Sequence, residues 1–248
     1  MKNIATDFYE ITTKNNLGTI FFKNNVFELL CNRDESDLLF EYLQYLRDNR
    51  KIKAVLFLNE PGCFSEEAYG RFLSKIMLPE IKSKEFEMQN FCDTKSRNLE
   101  LHTLNRFVQY LANYGKLCIS VLRGDIVTPF FSLALVTDLR YATPETFFSF
   151  AHNKYGIHPS GGLPYFLVHE LGYNRAIELM FSENISSQKA LELGLINKIV
   201  PNEDFLDGVI NDIEKITKFN NSVLTRTKLL SSFVRNSLSD YFEYEESF

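Results

Sequence analysis

Two short, nearly continuous apolar runs constrain the fold of this chain more than any other feature. They are Ile52–Leu58 and Leu117–Leu122, and an amphipathic pattern typical of a helix precedes the second run over about Arg97–Asn113. Strands that are apolar on both faces are typical of a parallel sheet covered on both sides by helices. Parallel strands need a crossover connection, which is usually a helix, so this order predicts βαβ units and an α/β fold.

The segment before the first run adds an antiparallel element. Two alternating runs, Phe8–Thr13 and Leu17–Phe22, flank a turn-prone Asn-Asn pair and predict an opening hairpin. Asn32 and Glu35 are spaced as in a capping box, so we expect a helix over about residues 34–50.

The remaining segments are predicted to be largely helical. A helix is expected from about Ser65, and the polar residues 80–97 are predicted to be a loop or frayed helix at a pocket mouth. From Asn174 onward the pattern is almost entirely helical, with one break at Ile196–Val200. We therefore predict an α/β core over residues 1–200 and a helical region over residues 201–248.

Composition excludes several classes of function. The chain has 248 residues and a net charge of −5, and its Lys and Arg residues are scattered, which argues against nucleic acid as a partner. It contains no run of the roughly 20 apolar residues that a membrane-spanning helix needs, so no membrane association is expected. The four cysteines are widely spaced and show no metal-ligand pattern, which predicts reduced, buried thiols, no bound metal and a cytoplasmic location.

The stretch from Gly124 to Gly172 carries the most specific pattern in the chain. It resembles the signature of the crotonase superfamily, the enoyl-CoA hydratases and isomerases. That signature is a glycine triplet, Glu-Leu-Ala and a Cys/Ala-Asp pair, followed by Phe-x-x-Pro-Glu and Gly-x-x-Pro-x-Gly-Gly. The scaffold positions kept here are Gly124, Leu133, Ala134, Asp138, Phe148, Gly156, Pro159, Gly161 and Gly162.

The resemblance covers about residues 50–235, and it implies a fold and an assembly. Downstream it includes Asn174–Phe181, Ala190–Pro201 and the pair Thr227-Lys228. It implies a crotonase-like ββα spiral core, a C-terminal helical region used for trimerisation, and a homotrimer or hexamer.

The resemblance also implies a chemistry. Family members hold an acyl thioester with its carbonyl oxygen between two backbone N–H groups, which stabilise an enolate-type intermediate. By position, Ala68 supplies the first N–H group. The second falls on Pro129, which has no N–H, unless a shift of one residue lets Phe130 or Val127 donate.

The acid–base positions of the family are also changed. Ser132 and His152 stand where hydratases carry two glutamates, and Ser160 occupies a third slot at which some members carry an acid. His152 is the strongest candidate for proton transfer, with a role in packing as the alternative, because an imidazole both accepts and donates a proton near neutral pH. Ser132 and Ser160 fit structural roles better, and Tyr69 is a conceivable proton donor.

Three hypotheses about function follow. The first is a divergent enzyme acting on an acyl thioester of CoA or a carrier protein, by decarboxylation or isomerisation, with no cofactor besides the substrate thioester. Its Lys154–Gly161 region resembles the decarboxylases that modify polyketide chains, whereas ordinary hydration is not expected without a carboxylate base. The second is a catalytically inactive family member that binds or assembles with a partner. The third, a protein binding a ligand other than a thioester, has no positive signal.

Overall fold

A computed structural model describes residues 3–77, 91–203 and 205–248, and two β-sheets organise these residues. The strands are β1 (Ile4–Ala5), β2 (Tyr9–Lys14), β3 (Leu17–Phe22), β4 (Ala54–Asn59), β5 (Leu117–Leu122), β6 (Asp125–Val127), β7 (Leu139–Ala142), β8 (Phe147–Ser149), β9 (Asn184–Ser186) and β10 (Lys198–Ile199). The larger sheet has seven strands in the order β1-β2-β3-β4-β5-β7-β10, and the smaller has three in the order β6-β8-β9.

Helices connect the strands and cover both faces of the larger sheet. They are α1 (Val26–Cys31), α2 (Arg33–Asp48), α3 (Glu66–Ile76), α4 (Thr94–Ala112), α5 (Thr128–Leu135), α6 (Ala151–Tyr155), α7 (Leu163–Leu171), α8 (Tyr173–Met180), α9 (Ser187–Glu192), α10 (Phe205–Thr217), α11 (Asn221–Ser231), the 3₁₀ helix Ser232–Arg235 and α12 (Leu238–Glu245).

The large sheet joins an antiparallel edge to a parallel centre. β2 pairs with β3 in antiparallel register, with Tyr9 opposite Phe22, so the predicted hairpin is confirmed. From β3 onward the neighbours β4, β5, β7 and β10 are all parallel. Every residue of β4 is buried, as the unbroken apolar pattern predicts for a strand covered on both faces.

The two faces of the sheet have separate coverings. On one face, Leu56 of β4 and Ile119 of β5 pack with Val209 and Ile213 of α10. The other face belongs to the larger core cluster, which includes α1, α2, α4, α5 and α7. The helices predicted within residues 201–248 are present, but α10 is part of the core. The division at residue 200 therefore stays a prediction.

Helix starts were predicted well where a capping residue marks them. The Asn32 side chain accepts a hydrogen bond from the Glu35 N–H at 3.2 Å, and α2 begins at the next residue, Arg33. The Ser65 side chain caps α3 in the same way. Both helix starts are confirmed within a residue.

Part of the predicted apolar face of α4 is wrong. The amphipathic pattern over Arg97–Asn113 predicts that Leu99 and Leu101 face the core. Both are only partly buried, whereas Arg97 and Glu100 are buried. Two charged side chains can be buried together here because they form an ion pair. Of the predicted loop or frayed helix over residues 80–97, residues 80–90 lie outside the described residues, and α4 already begins at Thr94.

The small sheet was not predicted. Each of its strands has three residues, which is too short for a period of two to be visible in the sequence. β6 matters for the site because it carries the chain from Gly124 directly into α5.

Candidate functional site

The candidate site lies where β4 and β5 end, because the loops that follow these strands lead into α3 and α5. Ligands of open parallel sheets generally bind at the carboxyl ends of the strands. The two loops are tied together: the Val127 N–H donates to the Phe64 carbonyl at 2.9 Å, and the Glu66 N–H donates to the Asp125 carboxylate at 2.6 Å. The positions predicted to bind a thioester carbonyl are therefore close neighbours.

The Ala68 N–H group, the predicted first donor, already has a partner inside α3. It donates to the Ser65 side-chain oxygen at 3.1 Å, because Ser65 is the N-cap of that helix. Glu67, the residue before Ala68, also belongs to the first turn of the helix. An N–H group that satisfies a helix cap does not point its hydrogen at a ligand.

The second donor position falls in the first turn of α5. Pro129 is the second residue of that helix and has no N–H to donate. The alternative donor Val127 is bonded to Phe64, as described above. The other alternative, Phe130, belongs to the first helical turn, whose N–H groups have no carbonyl partner within the helix.

Aromatic side chains pack tightly between the two loops. The Phe130 ring stacks on the Phe64 ring with their centroids 4.0 Å apart, and the Phe27 ring meets Phe130 edge-on at 5.0 Å. Phe27 also stacks on Tyr69 at 5.0 Å, and Tyr69 is buried. Beside Phe130 remains a cavity of about 10 Å³, which is room for about one water molecule.

Ser132 has its hydroxyl committed to the backbone. Its oxygen lies 2.8 Å from the Ser160 carbonyl and 3.1 Å from the Thr128 carbonyl, and it can donate only one proton to them. Ser132 and Ser160 are both fully buried. The structure therefore brings these two predicted positions into contact, with Ser160 contributing its backbone carbonyl.

His152 is buried, and its ring is hydrogen-bonded to the Thr128 hydroxyl. Its Nδ1 lies 3.2 Å from the Thr128 hydroxyl oxygen, which also lies 3.2 Å from the Ser149 carbonyl. The Thr128 hydroxyl has one proton, so it donates either to the Ser149 carbonyl or to His152 Nδ1, depending on which ring nitrogen carries the hydrogen. Burial lowers the pKa of His152 to about 4, a hydrogen bond to the Met180 backbone raises it in part, and His158 lowers it further. The ring is neutral at pH 7.

A buried ion pair next to Tyr69 was not predicted. Arg97 Nη1 donates to Glu100 Oε2 at 2.6 Å and lies 3.4 Å from the Tyr69 hydroxyl. Glu100 is completely buried, its Oε1 atom has no hydrogen-bond partner in the part of the chain that the structure describes, and burial raises its pKa. Nothing in the sequence distinguishes these residues from an exposed pair on an amphipathic helix.

A second unpredicted carboxylate comes from the C-terminal helix α12. The two oxygens of Glu245 accept hydrogen bonds from the Gly161 and Gly162 N–H groups at 3.1 and 3.0 Å. These glycines precede α7, and a β-carbon at Gly161 would lie 3.1 Å from Ser132 Cβ. Glu245 is therefore next to a predicted catalytic slot, although no sequence signal separates it from its acidic neighbours.

Neither a metal-ligand cluster nor a helix able to span a membrane is found among the described residues. Within residues 3–77, 91–203 and 205–248, no group of three or more His, Cys, Asp or Glu side chains is placed to hold a metal ion. Over the same ranges, no helix has both the length and the apolar character needed to cross a bilayer. The cysteines are free thiols as predicted, but Cys92 is exposed and Cys31 only partly buried, so the expectation that all four are buried is wrong.

Comparison with known proteins places this geometry in a family. The family model described as enoyl-CoA hydratase/isomerase matches residues 13–248. A probable enoyl-CoA hydratase of Mycobacterium tuberculosis is 28% identical over 153 residues, covering 60% of this chain and 53% of that protein. A probable peroxisomal enoyl-CoA hydratase of Arabidopsis thaliana is 31% identical over 111 residues, covering 44% of this chain and 42% of that protein. The chain thus spans about half the length of the curated relatives that it matches.

Solved structures agree on the fold. An enoyl-CoA hydratase/isomerase from Cupriavidus metallidurans superposes with a TM-score of 0.74 at 22% identity, covering 98% of this chain and 87% of that one. An enoyl-CoA hydratase from Mycobacterium avium superposes with a TM-score of 0.75 at 17% identity, covering 98% and 92%. This chain belongs to the enoyl-CoA hydratase/isomerase family, and the predicted crotonase-like fold is confirmed.

Proposed function

We propose that this chain is a non-catalytic member of the enoyl-CoA hydratase/isomerase family, which uses the fold for assembly with protein partners. The observation that carries the proposal is the state of the two oxyanion positions. The Ala68 N–H is bonded to Ser65, and Pro129 has no N–H. Removing one such donor typically lowers an enzyme's rate by about 100- to 1000-fold, so the loss of both removes most of the stabilisation of an enolate.

The acid–base positions support the same conclusion. Ser132 donates its only proton to a backbone carbonyl, and the pKa of His152 is lowered to about 4. A general base works best when its pKa lies near the pH at which it operates, so a buried imidazole with this pKa removes protons poorly at pH 7. The stacked rings of Phe64 and Phe130 also occupy space between the two loops.

An exposed apolar surface supports a role in assembly. Phe219, Val223, Leu230, Phe233 and Val234, which lie on or next to α11 and the 3₁₀ helix that follows, are all more than half exposed. We call this set the α11 face. A contiguous exposed apolar patch usually marks a protein–protein contact. The proposed partner is a second copy of the chain, in a homotrimer or hexamer as the family resemblance implies.

Calorimetry tests the proposal directly. The unmodified protein is titrated with crotonyl-CoA, malonyl-CoA and an acylated carrier protein, and an active enoyl-CoA hydratase serves as the positive control. We expect no saturable binding by the chain and no turnover of any of the three. Saturable binding, with a turnover that His152→Ala abolishes, would overturn the proposal.

Restoring the missing N–H group tests whether its loss matters. Pro129→Gly and Pro129→Ala both return a backbone N–H, and each is combined with Ser65→Ala to release the Ala68 N–H. We expect both double variants to bind crotonyl-CoA more tightly than the unmodified chain, because each regains two donors. Pro201→Ala, which replaces a proline outside the site, is the matched control. Equal affinity in all variants would show that the two positions do not form the carbonyl site.

One observation favours the second candidate function, an acyl-thioester enzyme with chemistry other than hydration. Among the described residues, one buried oxygen of Glu100 has no hydrogen-bond partner, and burial raises the pKa of this carboxyl group. Both features are common in carboxyl groups that transfer protons. In this case the Phe130 N–H would bind the thioester carbonyl. Glu100→Gln then abolishes a measurable decarboxylation or isomerisation while leaving substrate affinity within a few-fold. Any turnover that survives Glu100→Gln excludes this role.

A further inference from the structure

A cavity of about 370 Å³ lies where β4 and β5 begin. It is formed by the end of α2, the residues that lead into these two parallel strands, and the start of α11, and we call it the α2–α11 cavity. The candidate site follows the carboxyl ends of the same strands, so the two places are at opposite ends of them. Pockets that hold small ligands generally measure about 300–1,000 Å³, and this cavity is within that range.

The α2–α11 cavity concentrates positive charge in a chain whose net charge is −5. Four cationic side chains line it, Arg47, Arg50, Lys53 and Lys116, with the single carboxylate of Asp48, which leaves a charge of +3. Asp48 is paired with Arg47, whose Nε lies 3.2 Å from Asp48 Oδ1. Within the described residues, the other three cations have no carboxylate within ion-pair distance.

Hydrogen bonds hold the two lysine ammonium groups at the wall of the cavity. Lys116 Nζ donates to two carbonyls at the end of α2, and Lys53 Nζ donates to two carbonyls at the end of α10. An ammonium group has three N–H donors, so each lysine keeps one for a ligand. Burial lowers the pKa of Lys116 to about 8, and Asp48 raises it in part, so the group is charged at pH 7. A bound anion would stabilise that charge.

The two arginines and the start of α11 provide further donors. Arg47 and Arg50 are exposed, and the Arg50 side chain has no hydrogen-bond or ion-pair partner in the part of the chain that the structure describes. A guanidinium group can give two parallel hydrogen bonds to one phosphate group. The first residues of α11, Asn221 and Ser222, also line the cavity, so the positive end of this helix dipole adds to the same field.

The rest of the lining indicates what kind of anion fits. Ile52 and Leu224 are its apolar members, and none of the described residues that line the cavity is aromatic. A nucleobase would therefore have no ring to stack on, and an acyl chain would have little apolar surface to cover. A compact anion with several charged oxygens can bind the arginines and the lysines together.

We propose that the α2–α11 cavity is a binding site for a compact inorganic polyphosphate, of which pyrophosphate is the smallest, held by Arg47, Arg50, Lys53 and Lys116. The bound anion joins the end of α2 to the start of α11. The site is independent of the proposed function, because it shares no residue with the candidate site at the other end of the strands.

Calorimetry with inorganic pyrophosphate tests the site in the unmodified chain, at pH 7 and physiological salt without divalent metal ions. We expect saturable binding of one pyrophosphate per chain, and binding of orthophosphate that is weaker by roughly tenfold or more, because it makes fewer charged contacts. ADP carries a diphosphate on a nucleoside and should bind no more tightly than pyrophosphate. Absence of saturable pyrophosphate binding would overturn the proposal, and so would ADP binding more tightly than pyrophosphate.

Two pairs of substitutions locate the binding. Arg47→Gln combined with Arg50→Gln removes two exposed charges from the cavity, and we expect pyrophosphate affinity to fall by roughly tenfold or more. Arg33→Gln combined with Arg71→Gln removes two exposed arginines elsewhere and is the matched control. The control should keep its affinity within about twofold, because distant exposed charges are largely screened. Equal affinities in the two double variants would show that the anion does not bind in this cavity.

Discussion

At the scale of single residues, the most consequential contact is the ion pair of Arg97 and Glu100. Both side chains are at most 5% exposed and their charged atoms lie 2.6 Å apart. Taking two charges out of water is costly, and the attraction between them offsets that cost only while both are present. The pair therefore adds little net stability, whereas the loss of one partner is costly.

Removing one member of this pair should be far more damaging than removing both. We expect Arg97→Leu to lower the free energy of unfolding by about 3–5 kcal/mol, because Glu100 is left buried without its partner. Arg97→Leu combined with Glu100→Leu should recover most of that loss. Urea denaturation followed by circular dichroism measures all three proteins.

Arg71 and Glu67 provide the matched control, because they form an ion pair of similar spacing on exposed α3 positions. Arg71→Leu should change the unfolding free energy little, since exposed pairs contribute little. A double variant at positions 97 and 100 that is no more stable than Arg97→Leu would contradict the account of the buried pair.

Single residues of the site were predictable only where a family position named them. The resemblance to the family signature names Ala68, Pro129, Ser132 and His152. The structure shows what surrounds each of them. Their chemical roles stay predictions. Arg97, Glu100 and Glu245 were not predictable, because a charged residue on an amphipathic helix is normally exposed and the sequence does not show which partner would bury it.

At the scale of the element, the start of α3 determines the hydrogen bonding of the Ala68 N–H group, the predicted first oxyanion donor. Ser65 and Glu66 start the helix before Ala68, so the Ala68 N–H is used to complete a cap. A glycine at position 67 would weaken that helix start, whereas Glu67 is a better helix former and sits in the first turn, where an acidic side chain interacts favourably with the helix dipole. The helix cap therefore uses the N–H group that the predicted oxyanion site would need.

Ser65→Ala should free the Ala68 N–H group and lower the free energy of unfolding. We expect the variant to lose about 1 kcal/mol of unfolding free energy, which is typical for the loss of an N-cap side chain. Thermal or urea denaturation measures the loss. Ser74→Ala, which removes a serine hydroxyl from the same helix away from the cap, should cost less. Equal losses in the two variants would show that the Ser65 cap does not stabilise α3.

Helices and strands were predictable where several consecutive residues followed one pattern of apolar and polar side chains. The hairpin of β2 and β3 and the buried strands β4 and β5 meet this condition. The strands of the small sheet do not meet it. They are strands because they pair with distant segments, and their own sequence carries no local strand pattern. β10 has two residues and was visible only as a break between helices.

At the scale of the whole molecule, the α11 face sets the expected assembly. Leu230 and Phe233 are 78% and 74% exposed. Large exposed apolar patches are unusual on monomeric proteins. We expect light scattering to give a molar mass for the unmodified protein that is a multiple of its 28.9 kDa chain mass. Leu230→Glu with Phe233→Glu should produce a monomer with unchanged secondary structure, because both side chains are exposed within the single chain.

Two alanine substitutions at exposed polar positions, Lys218→Ala and Ser239→Ala, are the control for this experiment and should leave the mass unchanged. A purely monomeric unmodified protein at micromolar concentration would exclude self-association through the α11 face. A double glutamate variant that keeps the larger mass would instead place the contact elsewhere on the molecule.

The link between Glu245 and the start of α7 also has a consequence for how the chain is made. Glu245 and Gly161 are 84 positions apart, and during synthesis the earlier parts of a chain generally fold first. Until residue 245 has emerged from the ribosome, α7 has no carboxylate at its first turn and Phe242 is absent from the surface it will cover. Nascent chains halted before that point would therefore present an open apolar patch beside Ser132, which is the kind of surface that chaperones bind.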